Sequence, residues 1–226
     1  MNDRTDMNIE QARFNMIEQQ IRPWDVLDPD ILDALALVKR EDFVPPAYRE
    51  MAFADVEIPL KIEGRSTGQL MFTPKVEARL LQGLAVRKHE SALEIGTGSG
   101  FGTALLAQRT HRIQSWEIDP ALHAFAADNL RRAGIGSPRL HVGDGSQPPG
   151  EEKFDAIILS GSVAQVPHAL LSRLNEGGRL AGIVGEEPTM HGRIYTRVGA
   201  DWTHEDLFET VARRLQGFPA GRHFRF

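Results

Sequence analysis

The chain has 226 residues, 41% of them apolar and 25% charged, with a net charge of −5 and no cysteine. This length and composition give one globular domain, or one domain with an elaboration, able to bury a sizeable core. The absence of cysteine excludes disulfides, thiolate metal sites and a cysteine nucleophile, and the acidic balance argues against a broad nucleic-acid footprint.

The opening residues, Met1 to Asp6, are polar and lack the apolar core of a signal peptide, and no apolar run approaches membrane-spanning length. A cytoplasmic protein without a membrane partner is the expectation. Residues 7–60 read as helical. Phe14, Ile17 and Ile21 recur at i, i+3 and i+7, and Asp28-Pro29 places a cap before a proline at the first helical position. Ile31, Leu32, Leu35 and Val38 continue at helical spacing until Pro45-Pro46 breaks the pattern. Residues 57–72 read as irregular, punctuated by Gly64 and Gly68. Thr73-Pro74 then opens a helix, with Thr73 as its cap and Val76, Leu80, Leu81 and Leu84 as its buried face.

From residue 91 the rhythm becomes strand, loop, helix. Strands are expected at 91–95, 112–117, 139–142, 154–160, 179–184, 193–198 and 206–213, and helices at 101–108, 120–133 and 167–174. Asp119-Pro120 caps the second of these helices and Gly134 ends it. Uniformly apolar strands such as Ala156-Ile157-Ile158-Leu159, alternating with helices, imply an α/β fold. Its sheet is seven-stranded and mostly parallel, with helices on both faces. The last two strands, separated by a short connection, suit an antiparallel hairpin at the sheet edge. Residues 1–75 form a helical cap packed on a core of residues 76–226.

The most informative run is Ala92-Leu93-Glu94-Ile95-Gly96-Thr97-Gly98-Ser99-Gly100. A strand turning into a helix over glycines lets a ligand lie against bare backbone. The run lacks the Gly-Lys-Ser/Thr of a phosphate loop, and the third glycine of G-x-G-x-x-G would fall on Phe101 or Thr103. Glu94, just before the first glycine, suits a cationic ligand, and S-adenosylmethionine carries an amino group and a sulfonium. Glu117 ends the next strand about twenty residues on, where an acid holds ribose hydroxyls. Asp144, within Gly143-Asp144-Gly145, ends the third strand, and Ser160 the fourth. In such sheets the ligand sits beyond the carboxyl ends of the strands, where strand order reverses. The eight histidines show no tight ligand spacing, so no metal site is expected.

The chain resembles the protein-L-isoaspartate O-methyltransferases, class I enzymes with a Rossmann-like fold that use S-adenosylmethionine and release S-adenosylhomocysteine. The resemblance runs through Arg40-Glu41-Asp42-Phe43-Val44-Pro45, the glycine run, Ser115-Trp116-Glu117, Gly143-Asp144-Gly145, Phe154-Asp155-Ala156-Ile157, Val166-Pro167 and Gly177-Gly178-Arg179-Leu180. It implies a cofactor site made by Met71, Phe72, Thr73, Glu94, Gly96, Thr97, Gly98, Ser99, Gly100, Glu117, Ile118, Asp144, Gly145 and Ser160. In that implied site Glu94 orders the methionine end, Glu117 takes the ribose hydroxyls and Asp144 the adenine amino group. The implied acceptor is an isoaspartyl residue in a protein or peptide. The family's Gly-Gln-Thr-Ile-Ser-x-Pro stands here as Gly68-Gln69-Leu70-Met71-Phe72-Thr73-Pro74, so Phe72 takes the place of the serine. The family's Val-Pro-Leu has no counterpart, the comparable stretch being Arg214-Leu215-Gln216. Both differences border the acceptor in the family, and they admit a different small or protein acceptor, or a homologue that binds the cofactor without catalysis. Thr73 either supplies the missing hydroxyl or only caps its helix, and Phe72 either walls the pocket or packs in the core. Lys61, Arg65 and Lys75 are charges near this loop that either draw in a carboxylate acceptor or are merely solvated. The tail from Phe218 to Phe226 mixes aromatic and basic residues. It either covers the site, mediates self-association or frays. No oligomeric state and no catalytic base are read from the sequence.

Overall fold

The structure, a computed structural model, describes residues 3–219; of the tail singled out above, residues 220–226 lie outside the described residues. The cap begins with α1 (Asp3–Met16), continues through a π-helical turn (Ile17–Ile21) and a 3₁₀ turn (Arg22–Trp24), and reaches α2 (Pro29–Leu37). Asp28 caps α2 by accepting a hydrogen bond from the Asp30 N–H at 2.9 Å. Two further 3₁₀ turns (Arg40–Asp42 and Pro46–Met51) complete it.

Residues 57–72 are not irregular. They form an antiparallel hairpin of β1 (Ile58–Ile62) and β2 (Arg65–Met71), turning at Glu63-Gly64, where both residues have positive φ. Helix α3 (Pro74–Leu84) follows with Val76, Leu80, Leu81 and Leu84 buried, as the spacing required. Thr73 does not cap it: its side chain makes no cap hydrogen bond, and its hydroxyl is buried without a partner. At the other end of α3, Arg179 donates to the carbonyls of Leu84 and Ala85 while pairing with Glu90 through two bonds of 2.8 Å. A cation at helix-terminal carbonyls satisfies acceptors the helix leaves open.

The core then alternates β3 (Ser91–Ile95), α4 (Phe101–Arg109), β4 (Arg112–Glu117), α5 (Pro120–Arg132), β5 (Arg139–Val142), β6 (Phe154–Val163), α6 (His168–Leu171) and β7 (Leu174–Glu186). It ends on β8 (Thr189–Val198) and β9 (Asp201–Thr210). The sheet order is β5-β4-β3-β6-β7-β8-β9; pairings are parallel from β5 through β7 and antiparallel at β8 and β9. Several boundaries differ from the sequence expectation: β6 runs on to 163 rather than 160 and β7 to 186 rather than 184. The helix expected at 167–174 is a single turn, and β7 and β8 begin earlier, at 174 and 189. The strand expected at 206–213 runs from 201 to 210. No helix among the described residues is long and apolar enough to cross a membrane.

Two apolar clusters sit on the two faces of the sheet, following the alternation of side chains along each strand. Leu93, Ile95, Ile157 and Leu159 join one with Leu215 and Phe218. Ala92, Ala156 and Ile158 join the other, which also holds Met16, Ile21 and Leu35 of the cap and Leu80 and Leu84 of α3. Glu94 shares the face of Ala92, so its carboxylate points beneath α3 and α4. Strand order reverses between β3 and β6, and that places the open end of the sheet at Gly96 and Ser160.

Candidate active site

At that reversal a cleft runs over the carboxyl ends of β3, β4 and β6, roofed by the β1–β2 hairpin. One end is bounded by Gln69, Ile95, Trp116, Glu117, Ile118, Leu122, Gly145 and Leu215. The other is bounded by Met71, Phe72, Glu77, Glu94, Thr97, Ser99, Phe101 and Gly102. Leu60, Leu70, Gly96, Gly98 and Ser160 border both. The glycine turn keeps backbone open to this space: Gly96 and Gly98 have φ of 93° and 56°, and a Cβ at Gly96 would stand 2.7 Å from Leu215 Cδ2.

Glu117 accepts hydrogen bonds from the Gly98 N–H at 2.8 Å and the Asp119 N–H at 3.0 Å, tying the end of β4 to the glycine turn. Burial raises its pKa above the ordinary carboxylate value, against those backbone bonds. Glu94 is 1% exposed. Burial pushes its carboxyl up to about 7, opposed by hydroxyls that donate to it: Ser115 at 2.6 Å, Thr103, and Ser160 at 3.2 Å. Because Ser115 has one proton and gives it to Glu94, Thr97 donates to Ser115 at 2.6 Å. A buried carboxylate thus sits in a lattice of hydroxyls from α4, β4 and β6, as burial of a charge demands.

Of the residues singled out in the sequence, Met71, Phe72, Glu94, Gly96, Thr97, Gly98, Ser99, Glu117, Ile118, Gly145 and Ser160 border the cleft. Thr73, Gly100 and Asp144 do not. Gly100 packs against Ala126 and Leu130, and Asp144 accepts from the Ser146 N–H at 2.9 Å within the turn that presents Gly145. Phe72 is both things at once: 8% exposed in the cap-side cluster and a wall of the cleft, with its carbonyl accepting from buried Arg40 at 2.9 Å. Lys75 pairs with Asp55 at 2.5 Å and lies over Trp24, and Lys61 lies over Tyr48, so both are engaged away from the cleft.

Glu77 escaped the sequence reading. It is 7% exposed and faces Glu94 across Gly102. Burial pushes its carboxyl up to about 7, with Arg40 opposing and Glu94 reinforcing the shift. Its signal was available: residues 77, 80, 81 and 84 form one helical stripe, and a carboxylate in the buried stripe of α3 has to have a reason.

The family model described as Protein-L-isoaspartate(D-aspartate) O-methyltransferase matches residues 11–206. A protein-L-isoaspartate O-methyltransferase of Methanoculleus marisnigri is 36% identical over 176 residues, 77% of this chain and 78% of that one. One from Rhodopseudomonas palustris is 33% identical over 220 residues, covering 93% and 99%. The fold is shared with a solved protein of the same name, at TM-score 0.73 and 20% identity, over 95% of this chain and 66% of that one. It is shared also with a Plasmodium falciparum structure under the same family name, in complex with S-adenosyl-L-homocysteine, at TM-score 0.74 and 20% identity over 92% and 97%. With a family match across most of its length and relatives above 30% identity covering most of it, the chain belongs to the protein-L-isoaspartate(D-aspartate) O-methyltransferase family.

Proposed function

We propose that the cleft holds S-adenosylmethionine and that the chain carries out the family's reaction, methylating the free carboxylate of isoaspartyl residues in proteins or peptides. The observation that carries this is the donor set of the cleft: an acid at the end of β3, another at the end of β4, and bare backbone at Gly96 and Gly98 between them. These residues fit the donor. Glu117 suits ribose hydroxyls, Ile95, Trp116, Ile118 and Leu122 suit the adenosine body, and Glu94 suits the cationic methionine end. Asp144 would act through the turn that presents Gly145. When bound, the donor supplies a methyl group activated by its sulfonium.

A carboxylate acceptor is already ionised at neutral pH, so the chain has to align reactants and exclude water rather than remove a proton. Met71 and Phe72 border the same end of the cleft as Glu94, and on this reading they would wall the methyl group. The acceptor would enter from a neighbouring cavity of about 410 Å³ that shares Leu70 with the cleft and is bordered by Arg213 and Arg214 and by Glu57, Glu186 and Glu187. Methyl transfer to an isoaspartyl peptide, with its normal aspartyl twin as control, is the test; equal or absent transfer to both peptides by donor-saturated protein rejects the assignment. One observation favours a second reading, a different acceptor: Phe72 borders the cleft at the position where the family resemblance implies a hydroxyl. On that reading Phe72→Ser gains isoaspartyl turnover, while an unchanged acceptor profile counts against it. A protein that only binds the donor would be stabilised by about 2.7 kcal/mol at 100 times its Kd and transfer nothing.

A further inference from the structure

We propose that Ser160, at the carboxyl end of β6, orients the acceptor carboxylate for methyl transfer by donating its hydroxyl hydrogen bond to the carboxylate oxygen that does not react. The inference rests on the donor and acceptor reading above and deepens it by naming a side chain that touches the acceptor. Leu60, Leu70, Gly96, Gly98 and Ser160 border both ends of the cleft, and of these Ser160 alone has a polar side chain. A sulfonium joins the adenosyl and amino-acid arms of the donor, so the reacting carbon belongs where the two ends meet. The glycine N–H groups at that point are already engaged: Gly96 donates to the Trp116 carbonyl at 2.8 Å and Gly98 to Glu117 at 2.8 Å. The Ser160 hydroxyl is therefore the side-chain donor that a carboxylate meets there.

The neighbouring hydroxyls are committed or stand elsewhere. Thr97 is bonded to Ser115 at 2.6 Å, Ser99 borders the amino-acid end only, and Thr73 does not border the cleft. Ser162 borders the acceptor cavity, but it is fully buried and donates to the Ala212 carbonyl at 2.8 Å. Ser160 is only partly buried, and its bond to Glu94 is long, at 3.2 Å. When Ser160 turns to the acceptor, Glu94 keeps the hydroxyls of Ser115 and Thr103, so no buried carboxylate is left bare. In the transfer one acceptor oxygen forms the O–C bond to the methyl as the C–S bond breaks, and the electron pair of that bond stays on sulfur. No proton is exchanged, so Ser160 fixes the angle of the carboxylate rather than serving as acid or base.

The test is steady-state methyl transfer to an isoaspartyl peptide by Ser160→Ala, Ser160→Thr and Thr103→Val, with S-adenosylhomocysteine affinity read by calorimetry on each. Ser160→Ala should lower kcat/KM for the peptide by about tenfold or more, the ordinary worth of a hydrogen bond to a charged group, while binding S-adenosylhomocysteine within about twofold of the wild-type chain. Ser160→Thr, which keeps the hydroxyl, should recover most of the loss. Thr103→Val takes a hydroxyl from Glu94 without reaching the cleft, so its effect should fall on S-adenosylhomocysteine affinity rather than on the peptide. An undiminished kcat/KM in Ser160→Ala overturns the inference. So does a loss matched in S-adenosylhomocysteine affinity or reproduced by Thr103→Val, because Ser160 would then act through Glu94. A wild-type chain that binds no S-adenosylhomocysteine overturns the donor reading, and one that binds it but methylates no isoaspartyl peptide overturns the acceptor reading; the inference falls with either.

Discussion

Thr73 and Asp119 stand at equivalent places in the sequence, each a polar residue before a proline that opens a helix, yet the structure uses them differently. Asp119 accepts from the Ala121 and Leu122 N–H groups at 2.8 and 3.4 Å, whereas the Thr73 hydroxyl has no partner. Asp119→Ala should therefore cost about 1 kcal/mol in a denaturation experiment, the ordinary worth of a cap. Thr73→Val, which keeps the shape and removes the orphan hydroxyl, should be neutral or stabilising. A comparable loss for both would show that Thr73 caps after all. Glu94 and Glu117 were legible because each ends a strand beside a recognisable turn. Glu77 was legible only as an acid in the buried stripe of α3; that it borders the cleft follows from the packing of α3 over Gly102.

The hairpin of β1 and β2 is the element that the sequence hid. Pro59 and Gly68 are strand breakers inside it, and only Ile58, Leu60 and Met71 of its residues are buried, too few to show a period of two. Its turn signal, Glu63-Gly64, was the visible part. At the opposite edge the sheet depends on a close approach: a Cβ at Gly192 would meet Phe208 ring atoms at 2.4 to 2.7 Å, and Phe208 packs on Trp24 of the cap at 5.2 Å between centroids. Gly192→Ala should thus destabilise the chain by about 1–3 kcal/mol through overpacking. A concurrent change in Trp24 fluorescence would show that the edge strand and the cap move together; an unaltered denaturation midpoint would mean that Phe208 swings aside freely.

For the whole molecule, the largest apolar cluster contains cap residues and sheet residues alike, so cap and core should unfold in one transition. Stability should also carry the mark of the buried acids. Glu77 and Glu94 keep their protons up to about 7 in the folded chain, whereas their ordinary value is 4.5. Between those values the folded state binds more protons than the unfolded one, so stability falls as pH rises, by about 1.4 kcal/mol per pH unit for each group protonated only when folded. Denaturation midpoints followed from pH 5 to 7 should decline more steeply in the wild-type chain than in Glu77→Gln. Parallel slopes would mean that Glu77 ionises normally.

Periodicity and turn chemistry alone set out most of the core's strands and helices, the parallel sheet and the glycine turn with its two flanking acids. These are local properties, written in side-chain spacing over ten or so residues. Tertiary structure decided what local spacing does not encode: that a polar, proline-containing segment pairs into a hairpin over the cleft. It also decided that Asp144 faces its own turn while Glu77 meets Glu94. Whether a carboxylate looks at water or at another carboxylate depends on which helix lies over which strand, and that is settled by the packing of surfaces distant in the chain.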